Sequence, residues 1–344
     1  MIGQNYNSWS PLKEIWLGDC YPKNFYDHLD NEVKECFHKI TEITQEDLKI
    51  IQSKLEQLGV TVRRPSYHKI EDYLNNDTLE KPHITPRDFY FSHKDKLYFN
   101  DNFGGGRPWY DTIDLYKKNR LINLEKRLLV GLQINGSNVV RVGKDIYFDL
   151  AYDKIDKEIQ INMFKEHVYP YFKDFRCHLL FNGGHIDGCF AILKPGLILA
   201  SRYFQDYGAT FPGWEIIQLD RPEFQNFKKK TIGFQAAKNW YVPNLAKNNF
   251  FNEYIIKYAL DWVGNFKETY FDINCLVVDE KNVLMLGDNE PLFDALYKKG
   301  INVHSVPFRA RTFWDGGLHC LTVDILRDSS LIDYFDFQKN FTIY

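Results

Sequence analysis

The sequence has no marked excess of either charge and no long apolar run. It contains 43 lysine and arginine residues against 46 aspartate and glutamate residues, which gives a net charge of −3 at pH 7. A chain this close to balance has neither the basic footprint of a nucleic-acid-binding protein nor a polybasic membrane patch. No apolar run approaches the length of a bilayer span, and the first residues lack the regions of a secretory signal. We therefore expect neither nucleic acid nor a membrane as a partner.

Cysteine is scarce and scattered. The six residues form no C-x-x-C pair and show no metal-ligand spacing, so we predict neither a metal site nor a bound cofactor. A reduced, cytoplasmic setting is the default expectation, and most of these thiols are expected to be small buried hydrophobic groups. They are Cys20, Cys36, Cys177, Cys189, Cys275 and Cys320.

The composition is that of an ordinary globular protein. Of the 344 residues, 44% are hydrophobic and 26% are charged, so a sizeable core is expected. Aromatic residues reach 16%, which favours β-rich packing over a base-stacking surface. No low-complexity linker is visible, and we predict one domain over residues 1–344.

One pattern recurs along the chain: an apolar strand, a tight polar turn and a second apolar strand, which is typical of a β-hairpin. Where the pattern is clearest, its period is about 50 residues, as in repeat architectures. It is found at Phe89–Phe99, Val139–Leu150, Phe190–Ala200 and Cys275–Leu286.

A helical stretch and a further strand follow several of these hairpins. Ile155–Phe172 and Pro291–Lys299 read as helices, each with a strand after it, and a helix at Glu46–Leu58 ends at Gly59. The weakest unit carries a predicted helix at Asp114–Leu129. The fold class is therefore α/β with strand–strand–helix–strand units. Five such units arranged radially would make a propeller around a central channel, and an ordinary mixed α+β sheet domain is the alternative.

Two segments carry residues suited to catalysis. In Asp315-Gly316-Gly317-Leu318-His319-Cys320, two glycines open the backbone just before a cysteine, and a β-type run follows. Far upstream, His185 and Asp187 stand two positions apart and would share one face of a strand. A thiol, an imidazole and a carboxylate brought together by folding indicate covalent catalysis. A buried structural thiol and a core histidine are the bland alternatives.

An ordered series of motifs resembles the glycine amidinotransferase type of amidinotransferase, within the guanidine-modifying pentein superfamily. The resemblance covers most of the chain and is best between Pro86 and Arg327. Its carriers are Pro86-Arg87-Asp88, Arg141-x-Gly143-Lys144-Asp145-Ile146, His185-Ile186-Asp187-x-x-Phe190 with Pro195-Gly196, Asp279-Glu280-Lys281-x-Val283, Asn289-Glu290-Pro291, and Arg309 ahead of Gly316-Gly317-Leu318-His319-Cys320-x-Thr322.

The resemblance implies a five-bladed pentein propeller and transfer of the amidino group of arginine to a small amine, with ornithine released. It implies that Cys320 is the nucleophile and His185 the acid and base, and that Asp88 and Asp187 bind the guanidinium. The third catalytic position, normally acidic, falls on Asn135. There the sequence departs from the family pattern, since Asn135 and Asn138 replace the usual acidic pair.

Three further residues complete the prediction. We assign Asn182 and Arg309 to substrate binding, with the alternative that Arg309 pairs structurally with a carboxylate. His319 would point away from the site if the chain around it were extended. The partners expected are arginine and an amine acceptor, and exposed sheet surfaces could pair two copies into a homodimer. A deiminase-like amidine hydrolase and a catalytically impaired guanidine-binding homologue are the alternative functions.

Overall fold

The structure is a computed structural model of the chain. It describes residues 5–65, 81–99, 121–124, 132, 134–150, 155–181, 185–201, 206–219, 248–263, 271–337 and 339–344. Every structural statement below refers to these residues.

The described residues form sixteen strands. They are β1 (Leu12–Leu17), β2 (Thr61–Arg63), β3 (Tyr90–His93), β4 (Lys96–Phe99), β5 (Leu121–Asn123), β6 (Val139–Val142), β7 (Asp145–Asp149), β8 (Arg176–Leu180), β9 (Phe190–Lys194), β10 (Leu197–Ala200), β11 (Glu215–Gln218), β12 (Leu276–Asp279), β13 (Asn282–Leu286), β14 (Asn302–Val306), β15 (Thr322–Arg327) and β16 (Phe341–Ile343).

Helices lie between these strands. They are α1 (Asn31–Gln57), α2 (Lys157–His167), α3 (Tyr169–Phe172), α4 (Tyr207–Thr210), α5 (Asn249–Tyr258), α6 (Glu290–Lys298) and α7 (Arg311–Trp314). Short 3₁₀ turns are found at Lys23–Tyr26, Pro86–Asp88, Gly136–Asn138, Ile186–Gly188 and Leu260–Trp262. Within the described part of the chain, no helix is both long enough and apolar enough to cross a bilayer.

The described strands form five sheets that share one plan. In four of these sheets, two strands pair antiparallel as a hairpin, and a third strand adds parallel to the second. The fifth sheet has the same order of pairings, antiparallel between β15 and β1 and parallel between β1 and β2, but no hairpin joins β15 to β1. A helix leads into that third strand in several units, as a parallel connection requires. The sheet of β6, β7 and β8 has β16 as a fourth strand. The α/β class and the repeated unit of the sequence analysis are therefore confirmed.

One of the five sheets joins segments that are far apart in the chain. β15 pairs antiparallel with β1, and Leu17 lies opposite Thr322. β1 in turn pairs parallel with β2. The strand that follows Cys320 is therefore held by a strand near the other end of the sequence.

α1 shows why the sequence forms long cover helices over these sheets. Its buried positions, among them Phe37, Ile40, Leu48 and Ile51, recur at helical spacing and give one apolar face. This face packs into the largest core cluster, together with α5 and the sheet of β1, β2 and β15. Gly59 adopts a left-handed φ of 81° just after the helix, which ends it as predicted.

Two of the helix predictions need correction. The helix predicted at Glu46–Leu58 is longer, because α1 begins at Asn31. The helix predicted at Asp114–Leu129 is wrong where it can be compared, since Leu121–Asn123 is a strand parallel to β4. The remainder of that prediction lies mostly outside the described residues.

A buried ionic cluster links several sheets. Asp324 of β15 accepts from Arg87 at 2.5 Å, from Arg141 at 2.5 Å and from Arg327 at 2.9 Å, and all four side chains are buried. Burial alone would raise the pKa of Asp324, but the three guanidinium charges hold it well below the usual value. Arg141 also donates to the carbonyl oxygen of Ser92 on β3.

We predict that Asp324→Asn lowers the free energy of unfolding by about 3–5 kcal/mol, because three guanidinium groups then share no buried anion. Urea denaturation at neutral pH measures this difference. The matched control is Asp333→Asn, which removes an exposed carboxylate paired with Arg176 and Lys144 and should cost less than about 1 kcal/mol. Equal losses in the two variants would contradict a special role for Asp324.

Candidate active site

Several predicted site residues occupy equivalent places in the repeated unit. Asp88 lies two residues before β3, Asp187 lies three before β9, and Cys320 lies two before β15. Each therefore sits in the turn that precedes the outer strand of the antiparallel pair in its sheet. The Gly136–Asn138 turn, which precedes β6, contacts the turns that hold Asp88 and Asp187.

Cys320 is buried, with 2% of its surface exposed. Its Sγ lies 3.4 Å from Oδ2 of Asp187 and 2.9 Å from Nδ2 of Asn274. Its carbonyl oxygen accepts a hydrogen bond from the backbone N–H of Arg87 at 3.3 Å. The structure thus brings the predicted nucleophile against one of the two predicted guanidinium-binding carboxylates.

The two glycines before Cys320 allow a close approach between chain segments. A Cβ on Gly317 would lie 2.6 Å from Cβ of Asn274 and 2.8 Å from its carbonyl oxygen. A Cβ on Gly316 would meet Thr85 at 3.0 Å and Cβ of Cys320 at 3.2 Å. Position 317 therefore requires glycine because no larger residue fits beside Asn274. The sequence alone had suggested a different reason, the backbone freedom of glycine.

Asp187 forms the centre of the described site. Its Oδ2 accepts from Nδ1 of His319 at 2.7 Å as well as lying near Cys320. Burial would raise the pKa of Asp187, but the His319 hydrogen bond and the nearby charges of His319, His185 and Arg87 bring it below the usual aspartate value. Its Oδ1 is buried and has no hydrogen-bond partner among the described residues.

His185 faces a second carboxylate. Its Nδ1 lies 3.8 Å from Oδ1 of Asp88, and the His185 side chain is 38% exposed. This Asp88 oxygen is also buried without a hydrogen-bond partner within the described residues. Arg87, the neighbour of Asp88 in sequence, binds Asp324.

The prediction that His185 and Asp187 share one face of a strand is wrong. Residues Ile186–Gly188 form a 3₁₀ turn and not a strand, so alternation between faces does not apply. His185 lies against Asp88, whereas Asp187 lies against Cys320 and His319. Each histidine thus faces a different carboxylate.

Asn135 is buried just before the Gly136–Asn138 turn. Its Oδ1 accepts a hydrogen bond from Oγ of Ser137 at 2.6 Å, and Nδ2 of the neighbouring Asn138 donates to the carbonyl oxygen of Asp149. These contacts are within the turn and its own hairpin. The catalytic role that the resemblance implies for Asn135 stays a prediction.

The structure places Arg309 apart from these groups. Its guanidinium binds Asp47 at 2.8 Å and Glu46 at 2.6 Å, both on α1. Hydrogen bonds to Asp47 and Glu46 raise the pKa of Arg309. The structure therefore supports the alternative of a structural ion pair over the substrate-binding assignment. Asn182 lies outside the described residues.

Sequence reasoning missed three residues of this region. His319 was expected to point away, but residues 318–321 form a turn instead of a strand, and the ring meets Asp187. Burial and the charge of Arg87 lower the pKa of His319. Asp315 has a left-handed φ of 51°, and burial and the charge of Asp88 raise its pKa.

Asn274 is the third of these residues, and the repeat could have revealed it. It lies two residues before β12, as Cys320 lies two residues before β15. Its place in the turn before an outer strand, equivalent to that of Cys320, is the signal in the sequence that points to Asn274.

We predict that Gly317→Ala displaces Asn274 or the Cys320 turn, because the added methyl would overlap Cβ and the carbonyl oxygen of Asn274. The expected results are a loss of about 1–3 kcal/mol of stability and slower alkylation of Cys320, read by mass spectrometry of its peptide. Gly208→Ala is the matched control, since a Cβ there meets nothing within 4 Å. Unchanged alkylation in the Gly317 variant would contradict this view of the site.

Comparison with curated proteins finds amidinotransferases. The chain is 22% identical over 395 residues to the mitochondrial glycine amidinotransferase of Gallus gallus, and the alignment covers 96% of this chain and 84% of that protein. It is 23% identical over 381 residues to inosamine-phosphate amidinotransferase 1 of Streptomyces glaucescens, covering 96% and 98%. No protein-family model matches the chain.

Solved structures agree with these relatives. The inosamine-phosphate amidinotransferase of Streptomyces griseus superposes with a TM-score of 0.68 at 18% identity, covering 96% of this chain and 99% of that one. The N-terminal domain of a cyanobacterial arginine dihydrolase superposes with a TM-score of 0.53 at 13% identity, covering 91% and 97%. The resemblance to amidinotransferases is therefore confirmed, and the fold is that of these solved structures.

Proposed function

We propose that this chain is an amidinotransferase that moves the amidino group of L-arginine to a small amine through a covalent intermediate on Cys320. The named relatives support amidino transfer in general, and the arginine donor and ornithine product are our proposal. One observation carries the proposal: a buried carboxylate oxygen on Asp88 and another on Asp187 lack hydrogen-bond partners among the described residues. Asp88 lies beside His185, and Asp187 lies beside Cys320.

A guanidinium group is the ligand that these carboxylates suit. Its flat fork of N–H donors forms charge-assisted bonds to carboxylate oxygens, often in pairs. A buried carboxylate oxygen without a donor is costly, and a bound cation removes that cost. Asp187 also lies 3.4 Å from Sγ of Cys320, so a guanidinium held there would lie against the sulfur.

In the proposed reaction, the Cys320 thiolate attacks the central carbon of the guanidinium and forms an S–C bond. The Cζ–Nε bond of arginine then breaks, and His185 gives a proton to the departing nitrogen of ornithine. The amidino group remains on sulfur as a cationic thioether. An acceptor amine attacks the same carbon, His185 removes the amine proton, and the thiolate leaves.

A five-bladed propeller is part of the same proposal. Five sheets with one strand plan, and site residues from the turn before the outer antiparallel strand of four of them, support a radial arrangement. A cavity of about 40 Å³ is lined by residues of β6, β9 and β12 together with Arg87, Arg327 and His319. We infer that it is part of a central channel.

Amidine hydrolysis is the second candidate. The arginine dihydrolase domain named above shares the fold, and water can replace the amine as acceptor without any change at Cys320. A cytoplasmic location and a homodimer remain proposals. The six cysteines are scattered along the sequence without a C-x-x-C pair, which supports a reducing location.

The test is incubation of the purified chain with arginine, with and without a panel of small amines. We expect ornithine only when an amine is present, together with the amidinated amine. Cys320→Ser should abolish turnover and the covalent mass increase on the protein, because the attacking thiolate is lost. Cys36→Ser, which removes a thiol from α1, is the matched control and should keep both.

Other outcomes separate the alternatives. Citrulline in place of ornithine would favour the hydrolase. Neither product, with arginine still raising the melting temperature, would favour a guanidine-binding homologue. Full activity in the Cys320 variant would contradict the proposed intermediate.

A further inference from the structure

Asn274 bonds to the Cys320 turn through both its side chain and its backbone. Its Oδ1 accepts from the backbone N–H of Cys320 at 2.9 Å, and its Nδ2 donates to Sγ of Cys320 at 2.9 Å. Its own carbonyl oxygen accepts from the backbone N–H of His319 at 3.1 Å. The side chain is buried, with 1% exposure.

The orientation of this carboxamide follows from its surroundings. A backbone N–H can only donate, so the atom that faces the N–H of Cys320 must be the amide oxygen. The amide nitrogen then necessarily faces Sγ. Flipping the carboxamide would set its NH₂ group against the backbone N–H of Cys320. The hydrogen bond from that N–H to Oδ1 therefore fixes Nδ2 as the donor to Sγ.

The sulfur therefore lies between two groups of opposite effect. Oδ2 of Asp187 at 3.4 Å accepts from a thiol and repels a thiolate. Nδ2 of Asn274 donates a hydrogen bond, which is strongest when the sulfur carries a negative charge. Since the thiolate is the nucleophile, the donor from Asn274 favours the reactive form.

We propose that Asn274 is a further catalytic residue, whose carboxamide holds Cys320 in place and stabilises its thiolate. This inference rests on the proposed function. It applies to both halves of the reaction, because the thiolate is the attacking group in the first half and the leaving group in the second. One donor that favours the anion would assist both.

Close packing surrounds Asn274 beside the sulfur. Gly317 packs against Asn274 so closely that even a methyl group would overlap it. Nδ2 also lies 3.5 Å from the carbonyl oxygen of Asp187. Asn274 thereby connects the turn before β12 with the turns that carry Asp187 and Cys320.

The experiment measures the titration of Cys320 by the ultraviolet absorbance of thiolate, as the difference between each protein and its Cys320→Ser counterpart. Asn274→Leu removes the donor without adding charge. Asn274→Asp keeps an acceptor for the backbone N–H of Cys320 and places an oxygen towards the sulfur. We expect the midpoint to rise by about one to two pH units in both, with the larger shift in the Asp variant, and amidino transfer at neutral pH to fall about 10- to 100-fold.

The matched control is Asn5→Leu. Asn5 is also a buried bridging asparagine, since its Nδ2 donates to the carbonyl oxygen of Ile325 and its Oδ1 accepts from the N–H of Arg327. We expect Asn5→Leu to lose stability while its Cys320 midpoint stays at the wild-type value. A purely structural role for Asn274 would give the same pattern in its variants.

Two results would overturn the proposal: an unshifted midpoint in both Asn274 variants, or an equal shift in the Asn5 variant. The titration needs no substrate, so it is independent of whether the wild-type protein transfers amidino groups. Absence of transfer with a shifted midpoint would count against the proposed function alone. Normal transfer with an unshifted midpoint would count against Asn274 alone.

Discussion

The site depends most on the ion pairs that the buried carboxylate of Asp324 forms with arginine side chains. Three buried guanidinium groups meet at it, and one of them, Arg87, is the neighbour of Asp88 in sequence. Nε of Arg87 also donates to the carbonyl oxygen of Thr322 at 2.8 Å, and its backbone N–H donates to Cys320. The charge pair thus ties the Asp88 turn to the Cys320 turn, and a buried pair of this kind tolerates little displacement because an unpaired buried charge is expensive.

The repeated unit explains how chemically different groups come together. The turn before the outer antiparallel strand of a sheet presents a side chain at the sheet edge. The residue type at that position differs from sheet to sheet. A carboxylate stands there at Asp88 and Asp187, an amide at Asn274 and a thiol at Cys320. The fold supplies the positions, and the individual residues supply the chemistry.

Local signals predicted most of the fold. The hairpins were found because their turns contain glycine, proline and short polar residues, whose preferences act over a few positions. The strand at Leu121–Asn123 was missed because it forms only by pairing with β4, a contact that no local pattern encodes. The site was predicted in part: the approach of Cys320 to Asp187 followed from the family resemblance, whereas the ring position of His319 and the ion pairs of Arg309 depend on tertiary contacts.

The pairing of β15 with β1 bears on how the protein is made. Ribosomes synthesise a chain from its amino-terminal end. β1 therefore cannot pair with β15 until β15 has emerged from the ribosome. Until then, the sulfur of Cys320 has no neighbouring strand to hold it beside Asp187. A half-synthesised polypeptide would consequently carry no assembled nucleophile, and the site would be complete only once β15 has paired with β1.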